Sequence, residues 1–287
     1  MNRLHGIKGF RGTGKITFGG AVTTVLLVLW SVIQIFPLYW MLTFSLKENS
    51  EIFGSNVIGL PHNWIWSNYT TALQSGNMFR YLLNSAIVTG ATIAITVVAA
   101  TAATYALTRM VWRGRKTVNS LFMLGITIPI NAVILPVFLI LSKLHITNYW
   151  ALIIPYSAFA LSMAILISAS FMQGIPKELE EAACLDGCNI YGIFWHVILP
   201  LMRPALATLS IFIFLQAWNE LMYAVIFISD SKYRTITVGI QNLSGSFTTD
   251  WGPIGAALVV ATFPVLLIYA FFSSKIQESL VAGAIKG

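Results

Sequence analysis

Residues 172–203 read MQGIPKELEEAACLDGCNIYGIFWHVILPLMR, a polar and acidic stretch between two long apolar runs, 149–171 and 204–228. Each run has the roughly 20 apolar residues that a helix needs to cross a bilayer. Outward from this pair, four more segments share that length and character: about 17–45, 83–107, 119–142 and 254–273. The chain therefore reads as an all-α integral membrane protein with six transmembrane helices. Composition agrees. Of 287 residues, 57% are hydrophobic and 9% are charged, whereas a soluble domain has roughly 25% charged residues. The first run is longer than a bilayer requires, so it predicts a helix that extends beyond the membrane. Only Lys143 to Asn148 separate 119–142 from 149–171, which predicts a tight helical hairpin.

Loop charges set the topology, because cytoplasmic connections carry the excess of Lys and Arg. Arg3, Lys8, Arg11, Lys15, Arg109, Arg113, Arg115, Lys116, Lys177, Arg203, Lys275 and Lys286 fall on one side. Lys47, Arg80, Lys143, Lys232 and Arg234 fall on the other. Twelve against five predicts that both termini and the 172–203 loop are cytoplasmic. The domain plan is a basic cytoplasmic arm, 1–16, and a six-span membrane domain, 17–287, with a C-terminal tail at 274–287. The net charge of +7 does not predict nucleic-acid binding. That needs basic residues clustered on a solvated face, and here they punctuate apolar runs. The apolar run after the arm continues to about Phe44, so it reads as a retained span rather than a cleaved leader.

Residues 9–16, GFRGTGKI, nearly fit the phosphate loop G-x-x-x-x-G-K-[ST]. Ile16 lacks the hydroxyl that holds magnesium, and no buried strand precedes the motif. A flexible basic arm is the plain reading, and no cofactor is expected. Cys184 and Cys188, with His196 nearby, fall short of the four ligands of structural zinc. They read as reduced thiols, and no metal site or catalytic residue is expected.

Pro37, Pro129, Pro136, Pro155 and Pro264 lie inside the apolar runs and predict kinks, since each removes a backbone donor. Gly90, Ala91, Ala94, Ala99, Ala103 and Ala106 in the second run predict close helix packing. Glu220 is an acid inside the fifth run. Buried ionisable groups at such depth face a cavity or a partner, so it is either a pathway residue or an interhelical hydrogen-bonding group. Asn131, Gln216, Asn219 and Glu220 are the candidate pathway residues by location.

In the 172–203 loop, Pro176 suits a helix start, and Glu178, Glu180 and Glu181 favour its positive N-terminal end. The helix runs through Leu185, and Gly187 ends it. Ala183 and Gly187, four apart, share a small face that fits a groove. A second amphipathic piece, Tyr191 to Leu199, sets Tyr191, Phe194, Trp195 and Ile198 at helical spacing, and Pro200 is expected to break it. This predicts a helix lying along the membrane that offers a surface to a cytosolic partner, or an ordinary amphipathic surface helix.

Glu181-Ala182-Ala183, then Gly187, then Leu199-Pro200 resemble the EAA signature of ATP-binding-cassette importer permeases, with Val197 where an isoleucine is expected. Further stretches resemble the carbohydrate branch, the maltose-type and multiple-sugar permeases. They are PLYWMLTFSLK at 37–47, LPHNWIWSNYTTAL at 60–73, YALTRMVWRGRK at 105–116, WNELMYAVIF at 218–227, YRTITVGI at 233–240 and LVAGAIKG at 280–287. The resemblance covers nearly the whole chain. It implies the type I (MetI-like) permease fold in the cytoplasmic membrane of a bacterium or archaeon. It implies four partners: a second related permease, an ATPase dimer, an extracytoplasmic solute-binding protein and a carbohydrate substrate. ATPase coupling falls to Glu181, Ala182, Ala183, Asp186, Gly187, Leu199 and Pro200, with the tail reaching the ATPases. The loop 229–251, with Tyr233, Phe247 and Trp251, is implied to face the binding protein. Other solutes handled by the same superfamily are polyols, glycerol phosphate and polyamines. No Lys or Arg lies deep in a span, which disfavours an anionic site within this chain. An ion-coupled secondary transporter would rest on Glu220 alone. A membrane enzyme would need a placed pair of titratable groups, and the spans hold one acid and no histidine.

Overall fold

The computed structural model describes residues 18–244 and 249–284. The arm 1–16, with GFRGTGKI, lies outside the described residues, as do Phe247 and the last three residues of the tail. All the regular structure among the described residues is helical. The main helices are α1 (Phe18–Phe44), α2 (Met78–Thr108), α3 (Arg115–Thr127), α4 (Ile134–Lys143), α5 (Trp150–Gln173) and α6 (Glu178–Leu185). They continue with α7 (Ile190–Leu201), then α8 (Arg203–Trp218), α9 (Met222–Phe227), α10 (Ile236–Asn242) and α11 (Trp251–Ala284).

Four helices, Gly19–Phe44, Met78–Thr108, Trp150–Gln173 and Trp251–Phe272, are long and apolar enough to cross a membrane unaided. The other two expected spans are not single straight helices. The 119–142 run is divided between α3 and α4, whose axes differ by 98°. Pro129 causes this break. It forces Ile128 into extended backbone, with ψ of 115°, and is itself extended, as steric contact with the residue before proline requires. The hairpin expected between 119–142 and 149–171 is therefore only half present: α3 packs along α5, while α4 turns toward α9. The 204–228 run is divided between α8 and α9 at residues 219–221, without a proline. Pro37, Pro155 and Pro264 lie inside helices that continue past them.

α2 and α5 form the most extensive helix pair and run in the same direction. At one end the Tyr149 hydroxyl donates to Asn84 Oδ1 at 2.7 Å. At the other, the Thr104 hydroxyl donates to the Ile165 carbonyl at 3.4 Å and the Thr108 hydroxyl meets the Met172 sulfur at 3.0 Å. The buried face of α2 is a hydroxyl stripe: Ser85, Thr89, Thr92, Thr96, Thr101 and Thr104. Gly90 and Ala94, from the expected small-residue stripe, are exposed instead. Thr92 satisfies its hydroxyl on the preceding turn, at 2.8 Å from Val88 O, and Thr101 does so at 2.7 Å from Val97 O, whereas the Thr89 and Thr96 hydroxyls are buried without a partner. Small hydroxyl side chains still let the helices approach closely. α8 and α11 complete the bundle, while α1 touches it chiefly through α11. No part of α1's apolar window is buried within the chain.

At the end of the bundle where α1 finishes and α2 begins, polar side chains tie loops together. Lys47 is 1% exposed, and its ammonium donates to the Asn56 and Val57 carbonyls at 2.6 and 3.4 Å. The Asn68 amide donates to the Ser45 and Lys47 carbonyls, each at 3.0 Å. The Asn84 amide holds the Lys232 and Arg234 carbonyls at 2.9 and 2.8 Å. Glu51 accepts from the His62 backbone N–H at 2.9 Å and from the Asn56 amide at 2.6 Å. Burial alone would raise the Glu51 carboxyl, but these donors, with His62 and Lys47 close by, outweigh it and hold its pKa below the ordinary value. A depressed pKa contributes stability above the unfolded-state value and loses it as pH falls through the folded-state value. Acidification from about pH 6 to about pH 3 is expected to loosen residues 46–66 before the helices. Glu51→Gln is expected to remove that acid dependence, as read by hydrogen exchange of this segment.

Candidate coupling loop and transport pathway

The 172–203 loop folds into α6 and α7. The acidic first turn of α6, Glu178, Glu180 and Glu181, agrees with the helix dipole. Its far end is closed by a Schellman motif. Cys188 N–H donates to Ala183 O and Gly187 N–H to Cys184 O, both at 3.0 Å, with Gly187 at φ +83°. An L side chain is disfavoured at that φ, which is why glycine stands there. A Cβ at 187 would meet nothing within 4 Å.

Ala183 and Gly187 do not present a shared outward face. Ala183 is buried in a cluster with Tyr105, Met172, Ile193, Ile198 and Met202, so the groove that receives it belongs to the chain itself. Glu181, Ala182, Asp186 and Gly187 are exposed. Leu185 stands 90% exposed, a feature that the helical pattern does not distinguish from a core leucine.

α7 starts at Asn189, whose side-chain oxygen accepts from Gly192 N–H at 2.8 Å. Its middle turn, Phe194–Ile198, is a π-turn. The wider turn brings residues five apart onto one side, so Ile193 and Ile198 are both buried. Tyr191 and Trp195, expected on the same face, are exposed. Leu199 is half-buried and Pro200 exposed. Pro200 does not break the helix, because it lies where α-helical geometry resumes after the π-turn. The 74° bend comes after Leu201, at Met202, where Pro204 occupies the first turn of α8 and gives up no intrahelical bond.

The two broken helices meet deep in the bundle. The Tyr223 hydroxyl, at the start of α9, donates to the Ile130 carbonyl in the α3–α4 break at 2.8 Å. Tyr223 is fully buried, with Tyr156, Phe159 and Phe227 rings 4.7 to 6.3 Å away. Glu220 Oε1 accepts from Tyr223 N–H at 2.9 Å and Glu220 Oε2 from Ala224 N–H at 3.3 Å. Tyr156 of α5 donates its hydroxyl to the same carboxylate. The interhelical hydrogen-bonding alternative for Glu220 thus has a geometry. The carboxylate caps α9 and binds α5, and is half-buried. Asn131, Gln216 and Asn219 are exposed around these breaks, and the Asn219 amide bonds back to Leu215 O at 2.9 Å. Irregular backbone at membrane depth is tolerated where protein buries it, and Tyr223 and Glu220 supply that cover here. Sequence reasoning missed Tyr156, Tyr223 and Ile130. Only Pro129 signalled one of the two breaks.

A family model described as the binding-protein-dependent transport system inner membrane component matches residues 93–280. The chain belongs to this family. The permease is 35% identical over 254 residues to the sulfoquinovosyl glycerol transport system permease protein SmoH of Agrobacterium fabrum, covering 88% of this chain and 89% of that one. It is 34% identical over 269 residues to the diacetylchitobiose uptake system permease protein NgcG of Streptomyces coelicolor, covering 93% and 89%. Its fold matches a chain of a bacterial ABC transporter involved in the import of the acidic polysaccharide alginate. That match has a TM-score of 0.80 at 21% identity and covers 89% of this chain and 95% of that one. The architecture is accordingly the MetI-like fold of ABC permeases. Cys184 and Cys188 of the permease are free, and no group of three metal-ligating side chains forms among the described residues.

Proposed function

We propose that this permease is one half of a channel that imports a sugar or oligosaccharide, driven by ATP hydrolysis on separate subunits. The observation that carries the reading is the exposed face of α6, Glu181, Ala182, Leu185, Asp186 and Gly187, standing on a rigid glycine-closed helix. Such a face suits a groove on a soluble ATPase, while Ala183, Ile193 and Ile198 hold the loop against the bundle; Leu199 and Pro200 close the loop beside them. Relatives named for sulfoquinovosyl glycerol and diacetylchitobiose support a saccharide substrate.

In this reading α3 with α4, and α8 with α9, each complete one crossing, which gives six spans with both termini cytoplasmic, in the inner membrane. α8 alone is about 24 Å long at 1.5 Å per residue, short of a ~30 Å hydrocarbon core, so α9 completes the fifth span. A second permease covers α1 and the exposed side of the breaks. An extracytoplasmic binding protein delivers substrate to the end formed by residues 45–77 and 229–244. Asn131, Gln216, Asn219 and Glu220 border the pathway, where amide and carboxylate groups match sugar hydroxyls. The tail is assigned to the ATPase side.

The test is reconstitution of the complete complex in proteoliposomes. ATP is expected to drive uptake of the saccharide that stabilises the cognate binding protein in a thermal-shift screen. Uptake driven by an ion gradient without ATP would overturn the reading.

A further inference from the structure

Arg109 lies one residue past the end of α2, and its guanidinium reaches two other elements. Its Nη2 donates to the Met172 and Ile175 carbonyls, both at 2.6 Å, where α5 ends. Its Nε is 3.1 Å from Glu180 Oε1 on α6. The two side chains are 8% and 16% exposed. A cation at a helix C-terminus satisfies carbonyls that lack intrahelical donors, which accounts for the α5 contacts. It does not account for Glu180, which belongs to another helix.

The rest of the junction between α6 and the bundle is sparse. α6 packs mainly on α7 of its own loop. Toward α2 and α5 it contributes Ala183, which packs on Tyr105 and Met172, and Glu180, which also meets the Tyr105 hydroxyl. A cavity of about 460 Å³, lined in part by Tyr105, Trp112, Glu180 and Ile190, opens beside the ion pair. A charged pair taken out of water adds little net stability, because desolvation offsets most of the attraction. The Nε–Oε1 contact is a close ion pair without hydrogen-bond alignment, so what it supplies is an attraction that ties α6 to the ends of α2 and α5.

We propose that the Arg109–Glu180 pair is the strut through which motion of α6 enters the parallel α2–α5 pair. The inference rests on α6 being the helix that docks on the ATPase. Arg109 and Glu180 are positioning residues. With the pair intact, displacement of α6 carries the ends of α2 and α5 with it. With the pair broken, α6 stays attached to α7 and moves α8 alone, so ATP is hydrolysed without driving the full rearrangement.

The experiment compares the complete wild-type complex with complexes carrying Glu180→Ala, Glu180→Gln, and the exchange Arg109→Glu with Glu180→Arg. It reads co-purifying ATPase, ATP hydrolysis, saccharide uptake and thermal unfolding. Glu180→Ala is expected to keep its ATPase and its hydrolysis, with a lowered unfolding temperature because Arg109 stays buried without its carboxylate. It is expected to lose about tenfold in uptake per ATP, a coupling of ordinary size. Glu180→Gln is expected to fall between Glu180→Ala and wild type, and the exchange to recover part of the loss. Wild-type uptake per ATP in Glu180→Ala overturns the proposal while leaving the docking reading standing. So does a parallel fall in uptake, hydrolysis and unfolding temperature, which marks a merely structural pair. Loss of the ATPase from the Glu180→Ala complex overturns it by placing Glu180 in the docking contact. A wild-type complex that holds no ATPase overturns the docking reading and this proposal together.

Discussion

Gly187→Trp and Glu181→Lys are each expected to cut ATP-driven uptake about a hundredfold or more while the chain still inserts in the membrane. The size follows from central contacts at protein interfaces, whose loss costs roughly 2–4 kcal/mol, and 1.4 kcal/mol is about tenfold. Both positions are exposed, so neither change disturbs the bundle. At Gly187 the backbone has φ +83°, which an L residue adopts at a cost of roughly 1–2 kcal/mol. The end of α6 would strain, and the indole would stand in open space above the face proposed to meet the ATPase. At Glu181 the substitution reverses a charge on that face. Leu185→Asp is expected to act in the same way, since its side chain is 90% exposed. Uptake in vesicles, compared with the amount of chain in the membrane fraction, checks all three. Normal uptake by Glu181→Lys and Gly187→Trp would remove α6 from coupling.

The second large effect is expected at Tyr223. Tyr223→Ala removes a fully buried ring from contact with Tyr156, Phe159 and Phe227 and should cost about 3–5 kcal/mol. Tyr223→Phe keeps the ring and deletes only the hydrogen bond to the Ile130 carbonyl. It should cost about 1–3 kcal/mol if that carbonyl is left unpaired, and less if the chain finds another donor within the membrane. Thermal unfolding of the purified complex in detergent separates the two. Equal effects of Phe and Ala would show that the hydroxyl, not the packing, holds the two breaks together. No effect of either would show that the breaks are held elsewhere.

Much of this architecture is legible in the residues, because lipid makes a harsh demand on composition. Runs of about 20 apolar residues have no other stable home, and the short charged breaks mark their ends. The α6 segment is legible too, since acidic residues, good helix formers and a terminal glycine all agree on one element. What escaped is relational. Gly90 and Ala94 look like packing residues by size, yet threonines beside them take the buried face; Thr92 and Thr101 satisfy their hydroxyls within the helix, while those of Thr89 and Thr96 are buried without a partner. Ala183 looks like an outward contact until the chain's own Tyr105 and Met172 are placed around it. The π-turn at Phe194–Ile198 shifts the phase of an amphipathic stripe, and no residue type announces such a turn. The break after Trp218 carries no proline or glycine. Its one trace was the pair Asn219-Glu220, polar groups in an apolar run, and only the geometry shows the carboxylate closing the next helix.

The bond from Tyr223 to Ile130 also has a place in time. Its two ends are 93 residues apart in the chain. A cell that synthesises about 5–20 residues per second needs roughly 5–20 s to deliver the second after the first. During that interval the Ile130 carbonyl sits at an unfinished corner, without its tyrosine. The α3–α4 corner therefore matures only when α9 arrives, and nascent chains halted before Tyr223 should keep that corner wet or leaning on the insertion machinery.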